Sequence, residues 1–207
     1  MTSVPSQPPE PQGHLVLLRH GETEWSKSGQ HTGLTDLPLL PEGEEAARRV
    51  ADLLSGWTFA RVLVSPLQRA RRTAELVQPS APVVVDSRLR EMSFGIWEGK
   101  SVAELRAEGG ETFAAAERLG LDFHPPGGES PRQVMERIEG WTAEIATTGA
   151  PVVAVTHKAA IRALLALATG WDMTGRQPVK LDWKCLHFFI AHGDGKVTLD
   201  RPNAPLS

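Results

Sequence analysis

Residues 14–25 read HLVLLRHGETEW. Four apolar residues, Leu15 to Leu18, stop at Arg19 and His20, and Gly21 follows at once. A short apolar run closed by polar residues reads as a buried β-strand. The chain then places a guanidinium and an imidazole side by side at the strand's carboxyl end. The same arrangement recurs twice downstream. RVLVS (61–65) ends in Ser65-Pro66, with Arg69 one turn into the next helical segment. PVVAVT (151–156) is apolar throughout, as a fully buried parallel strand is, and ends in Thr156-His157.

Helical segments separate these strands. Residues 41–56 carry Ala46, Ala47, Val50, Leu53 and Leu54 at helical spacing, with Gly56 as the stop and Leu40, a poor cap, before the first turn. Residues 66–78 follow Ser65, Pro66 and Gln68, which read as N-cap, first-turn proline and capping-box partner. PVVVDS (82–87) reads as a short strand, and 101–119 contains helical patches. Ser130, Pro131 and Gln133 repeat the start signal for a helix to about 147, and AAIRALLALATG (159–170) is the helix behind the long apolar strand. Residues 184–200 read as a hairpin turning at Gly193-Asp194-Gly195. Alternating β and α with buried strands predicts an α/β fold, a three-layer α/β/α sandwich with a mostly parallel central sheet. No internal repeat is present.

With 207 residues, 41% apolar and 23% charged, the chain suits one soluble domain with a substantial core. Residues 14–200 are expected to form it. The first thirteen residues hold four prolines with neither a basic start nor an apolar centre, so 1–13 reads as a disordered tail rather than a signal peptide, and 201–207 as a short second tail. A net charge of −3 excludes the basic excess of nucleic-acid or membrane-surface binders, and no apolar run approaches the length of a membrane span. The single cysteine, Cys185, lies in an apolar strand pattern, reads as a small buried hydrophobe and fits a cytoplasmic setting.

In open α/β sheets ligands sit beyond the carboxyl ends of the strands. Arg19, His20, Arg69 and His157 therefore converge on one sheet edge, with Leu89-Arg90-Glu91 following another strand. Guanidinium grips phosphate oxygens bidentately. A neutral imidazole is a competent nucleophile near pH 7, and neighbouring arginines help keep it neutral. A carboxylic acid beside a phosphate dianion can protonate a leaving alcohol. This chemistry asks for no metal or cofactor, and it assigns His20 as nucleophile and Glu91 as acid. Glu22 and Glu98 compete with Glu91, but Glu91 lies nearest a strand end. Arg71 and Arg72 compete with Arg69, but only Arg69 falls on the first turn. Gly21 is expected to let the backbone wrap the phosphate closely. His14, His31, His124, His187 and His192 show no metal-ligand spacing.

RHGETEW, SPLQRARRTAEL, LREMSFGIWEG, PGGES and VTHKAAIRALL, in this order across residues 14–190, resemble the histidine phosphatase superfamily, also called phosphoglycerate-mutase-like. The resemblance implies a phosphohistidine on His20, a phosphate pocket of Arg19, Arg69 and His157, and Glu91 as proton donor. Ser26 and Thr32 fall where members place polar side chains near the phosphate. Position 26 is commonly Asn in that family and Ser here, and Lys158 stands where Gly is common, either reaching substrate or facing solvent. Residues 25–39 are close to a sugar-bisphosphatase branch acting on sedoheptulose bisphosphate. The resemblance implies a phosphatase acting on a small phosphorylated metabolite. Its rival is a phosphoglycerate mutase, but that branch carries a longer insert with adjacent arginines. Here 65 residues (92–156) separate Glu91 from His157, without an Arg-Arg pair. A non-catalytic phospho-ligand-binding domain would be expected to lack one of the five residues. Homodimers are common in that family, and the resemblance admits one here.

Overall fold

The computed structural model describes residues 12–54, 57–77, 81–147, 149 and 151–205. Six strands form one sheet in the order β3-β2-β4-β1-β5-β6. They are β1 (Gln12–Arg19), β2 (Arg61–Val64), β3 (Val83–Val85), β4 (Val152–Thr156), β5 (Cys185–His192) and β6 (Val197–Pro205). The first four of that order run parallel, and β5 and β6 add an antiparallel hairpin. The helices are α1 (Glu24–Ser28), α2 (Pro41–Leu54), α3 (Gln68–Val77), α4 (Val102–Glu117), α5 (Pro131–Ala146) and α6 (Lys158–Thr169).

The layering follows from side-chain alternation along the strands. Leu15 and Leu17 of β1 and Ala154 of β4 face one side, where they pack with Ile138, Trp141, Ile161 and Leu164 of α5 and α6. Val16, Leu18, Val153 and Val155 face the other side, against Val50 and Leu54 of α2 and Ala70, Ala74 and Val77 of α3. A continuous apolar run such as Val152–Val155 is stable only with both faces covered, and all four residues are buried. The three-layer sandwich expected from the sequence is the fold observed.

Several boundaries move. β1 starts at Gln12 because β5 extends to His192 and pairs with it. The C-terminal tail expected at 201–207 is strand through Pro205, since Cys185 and Leu186 of β5 pair with Pro205 and Ala204. The remaining residues of both expected tails, and Gly56, lie outside the described residues. The strand at 82–87 shrinks to three residues, after which Asp86 accepts the Arg88 amide and caps a 3-10 turn, Ser87–Leu89. Helix α3 begins at Gln68, two residues later than expected. The Ser65 hydroxyl accepts the Leu67 amide at 3.3 Å, just ahead of the helix, and the carboxylate of Asp36 accepts the Gln68 amide at 2.8 Å. Ser130 and Gln133 form the full capping box at α5, as the sequence implies, and Leu40 contributes only its carbonyl to α2, accepting the Glu44 amide.

Registers bring the strand ends level. Arg19 pairs with Thr156, and Val64 pairs with Val155. The His20 amide donates to Thr156 O at 3.0 Å, and the Ser65 amide to Val155 O at 3.1 Å. His20, Ser65 and His157 therefore leave the sheet side by side.

Candidate active site

A cavity of about 450 Å³ opens at that edge, lined among others by Arg19, His20, Arg69, Glu91, Lys158 and Arg162. His157 lies fully buried behind it, its ring 4.9 Å from that of His20. Residues from β1, α3, the loop after the 3-10 turn and the start of α6 thus meet as the sequence predicts.

His20 is held in one tautomer. Its Nδ1 lies 2.7 Å from Gly21 O, and a carbonyl only accepts, so Nδ1 carries the proton. Nε2 keeps its lone pair and is the nitrogen left for the cavity. Burial, then the charges of Arg19 and Arg69, hold His20 well below the ordinary imidazole pKa, so the ring is neutral at pH 7. His157 is held low in the same way, by burial first and then by His20 and Arg69. Its Nε2 meets Ser65 Oγ at 2.7 Å, and the same hydroxyl also accepts the Leu67 amide at 3.3 Å.

The Arg69 guanidinium is fixed by backbone carbonyls, donating to Gly33 O at 2.7 Å and Thr35 O at 2.9 Å. That loop is shaped by Glu98, whose carboxylate accepts from the Leu34 and Thr35 amides, the Thr35 hydroxyl and the Phe94 amide. Glu98, weighed above as a candidate acid, therefore holds the loop that holds Arg69. Thr73 ties the same helix to the first strand's loop: its hydroxyl accepts the Gly21 amide and donates to Arg69 O. Gly21 itself is required by packing. A Cβ there would stand 2.6 Å from Gly43 O of α2, so the close approach is to α2 rather than to a phosphate.

Glu91 enters through the 3-10 turn and not directly from a strand. Its Oε1 accepts the amides of Met92 at 2.9 Å and Ala159 at 3.1 Å, and Oε2 takes no hydrogen bond from the described residues. Arg137 of α5 supports this segment from behind, donating to Arg88 O and Glu91 O.

Ser26 and Thr32 both line the cavity. The Ser26 hydroxyl, however, is engaged in the cap of α1, accepting the Thr23 amide and donating to Thr23 O. Lys158 lines the cavity rather than facing solvent, with its ammonium 5.5 Å over the Trp183 ring. Burial, then Arg19, lowers its pKa to about 8. His31 also lines the wall, stacked on Phe94 at 4.2 Å. Arg162 was not singled out from the sequence. The signal was its place four residues after Lys158, on the same helical face.

The donors point to an anion. The Nε atoms of Arg19 and Arg69 and Nδ1 of His157 are buried without a hydrogen-bond partner among the described residues. None of Arg19, Arg69, Lys158 and Arg162 forms an ion pair among the described residues, although surface arginines such as Arg48, Arg88 and Arg132 do. A phosphate group in the cavity offers oxygens to guanidinium and ammonium groups that no carboxylate neutralises.

Comparison with known proteins agrees with this chemistry. The sequence profile of the histidine phosphatase superfamily (branch 1) matches residues 15–204. The adenosylcobalamin/alpha-ribazole phosphatase of Escherichia coli K12 is 31% identical over 175 residues, 83% of this chain and 86% of that protein. Sedoheptulose 1,7-bisphosphatase of Saccharomyces cerevisiae is 42% identical over 113 residues, covering 46% of this chain and 42% of that enzyme. A mycobacterial glucosyl-3-phosphoglycerate phosphatase, solved with VO3, superposes with a TM-score of 0.77 at 28% identity, over 93% of this chain and 99% of that one. Proteins named 2,3-bisphosphoglycerate-dependent phosphoglycerate mutase match as well, one from Gloeobacter violaceus over 55% of its length. Sheet order, site geometry and sequence profile together make this chain a member of the histidine phosphatase superfamily.

Proposed function

We propose that the protein is a phosphoric monoester hydrolase that acts on a small phosphorylated metabolite through a phosphohistidine on His20. The observation that carries the reading is the tautomer of His20: Nδ1–H is tied to Gly21 O, which leaves Nε2 as an unprotonated nucleophile at the end of a rigid strand. Arg19, Arg69 and His157 hold the phosphoryl oxygens in line with it. Nε2 attacks phosphorus, the ester P–O bond breaks, and protonated Glu91 gives its proton to the departing alkoxide. The Glu91 carboxylate then takes a proton from water. The resulting hydroxide attacks phosphorus, the P–N bond breaks, and inorganic phosphate leaves with His20 neutral again.

The relatives named phosphoglycerate mutases support a second reading, in which the phosphohistidine passes its group to a second oxygen of the substrate. The test is phosphate release from an aryl phosphate and a panel of phosphorylated metabolites, alongside a 3-phosphoglycerate mutase assay. Hydrolysis by the wild type that disappears in His20→Ala, whose fold is retained, is the expected result. Mutase turnover exceeding hydrolysis would transfer the conclusion to the second reading. Hydrolysis surviving in His20→Ala would overturn both.

A further inference from the structure

Three residues between α6 and β5 adopt the left-handed backbone: Gly170 at φ 70°, Met173 at φ 62° and Gly175 at φ 61°. A Cβ makes that conformation unfavourable, so glycine is its ordinary occupant. Among the described residues only Met173 and Asn203 adopt it with a side chain, and asparagine tolerates it. At Gly170 and Gly175 a Cβ would meet open space, and neither lines the cavity. Met173 does line it. The chain thus has glycine at two of the three left-handed positions and a long apolar side chain at the one that borders the cavity.

Both neighbours of Met173 are tied down. The Asp172 carboxylate accepts the Thr174 amide at 2.9 Å and the Thr174 hydroxyl at 2.7 Å, and the Trp171 indole donates to Thr174 O at 2.9 Å. The Leu121 amide donates to Asp172 O at 2.9 Å, which seats the loop on the 3-10 turn Gly120–Asp122. The approach is close: a Cβ on Gly120 would stand 2.4 Å from Asp172 O. A disfavoured conformation persists where its surroundings over-determine it, and such positions collect at ligand clamps. The wall that Met173 joins is apolar, with Met92, Phe94, Val102 and Phe123 on the same cavity. Phe94 stacks on His31, and Phe123 packs against Trp97 and Phe113, so both rings are held in place. Methionine is unbranched, and its thioether adapts to an irregular partner and contacts aromatic rings favourably. Apolar side chains offer a phosphate no hydrogen bond, so this wall meets the other part of the ester, the alcohol.

Resting on the phosphatase reading above, we infer that Met173 is a specificity-determining residue, which completes an apolar wall around the alcohol portion of the ester. The preferred substrate is then a phosphomonoester whose alcohol carries an apolar group about the size of a ring. The left-handed backbone at 173 is kept because it sets this side chain on that wall.

The experiment compares kcat/KM for 2-phenylethyl phosphate and ethyl phosphate. The two alcohols are of similar acidity, so the ratio reads contact with the ring rather than ease of bond cleavage. Glucose 6-phosphate, with a polar ring, controls for size. The wild type is expected to favour the phenylethyl ester over both others by about tenfold or more. Met173→Gly and Met173→Asn both suit the left-handed backbone and remove the apolar side chain. Each is expected to lower the phenylethyl-to-ethyl ratio by about fivefold or more without lowering the melting temperature. Met173→Leu, which keeps an apolar side chain, is expected to retain most of the ratio. A wild-type ratio near one, a preference for glucose 6-phosphate, or a ratio unchanged in both Met173→Gly and Met173→Asn would overturn the assignment. So would a lowered melting temperature with all three esters reduced alike, which is the mark of a purely structural residue. Should no ester be hydrolysed at all, the phosphatase reading fails separately. Calorimetric binding of 2-phenylethyl phosphate to wild type and to Met173→Asn then decides the wall: binding weakened by the substitution supports it, and equal or absent binding refutes it.

Discussion

At the scale of single residues, the chemistry rests on which protons are where. Glu91 lines the cavity with one oxygen bound by two backbone amides and the other without a hydrogen bond from the described residues. If Oε2 delivers the proton, Glu91→Gln slows cleavage of esters with poor alcohol leaving groups far more than of esters with good ones. We expect a loss of about a hundredfold or more on alkyl phosphates and roughly tenfold or less on nitrophenyl phosphate. Equal losses on the two would remove Glu91 from the role of acid. Lys158 supplies a pH prediction of definite sign. Its pKa is lowered to about 8, first by burial and then by Arg19, so the free enzyme loses this positive charge as pH rises through 8. The rate constant kcat/KM reports free-enzyme groups, and it is expected to decline on the alkaline side near that value. In Lys158→Met kcat/KM is lower at pH 7 and the alkaline decline is absent. A decline that persists in the variant assigns it to another group.

At the scale of elements, the site depends on loops that are held by side chains remote in sequence. Glu98 is the clearest case, since its carboxylate organises residues 33–35, whose carbonyls in turn aim Arg69. Glu98→Gln removes the charge and turns one acceptor oxygen into a donor facing amides. It is expected to cost about 2 kcal/mol of stability and to raise KM more than it lowers kcat. Urea denaturation and steady-state kinetics read the two effects separately, and an unchanged KM would show that Arg69 is positioned without this loop. The element scale is also where local sequence rules fail. Ser65, Pro66 and Gln68 spell a helix start, yet α3 begins only at Gln68: Ser65 accepts the Leu67 amide and meets His157, and Asp36, thirty-two residues before Gln68, caps the helix. Ser130 spells the same signal and follows it, with Gln133 returning the second bond of the capping box.

At the scale of the whole molecule, burying histidines, two of them at the site, costs stability in acid. His20, His157 and His187 all have folded pKa values below the ordinary 6.5, His187 at about 4, with burial the leading cause in each. The unfolded chain binds protons at these positions near pH 6.5 while the folded chain does not, so stability present above that pH is lost as pH falls below it. Between pH 6.5 and 5 each such histidine contributes a loss of up to about 2 kcal/mol. Urea midpoints measured across that window are expected to fall with acidification, and less steeply in His187→Gln. A midpoint independent of pH from 7 to 5 would contradict neutral burial.

The strands and their ends were legible in the sequence because both depend on local pattern. Runs such as 15–18 and 152–155 are apolar at every position, which only a strand covered on both faces tolerates, and the residue after each run is polar because the sheet ends there. His20, Arg69, Glu91 and His157 could be named on that rule. Residues whose roles depend on contacts between distant segments were decided only by the tertiary structure. Arg162 looks like an ordinary helical arginine until α6 is laid along the cavity. Glu98 looks as acidic and as near the site as Glu91 until its carboxylate is seen folded onto four donors of the 33–35 loop and Phe94. Gly21 reads as room for a ligand until α2 fills the space beside it. A chain reports its own periodicity and its own breaks, but not which distant backbone will occupy a hydrogen bond or a gap, and those occupants set the roles of Glu98 and Gly21.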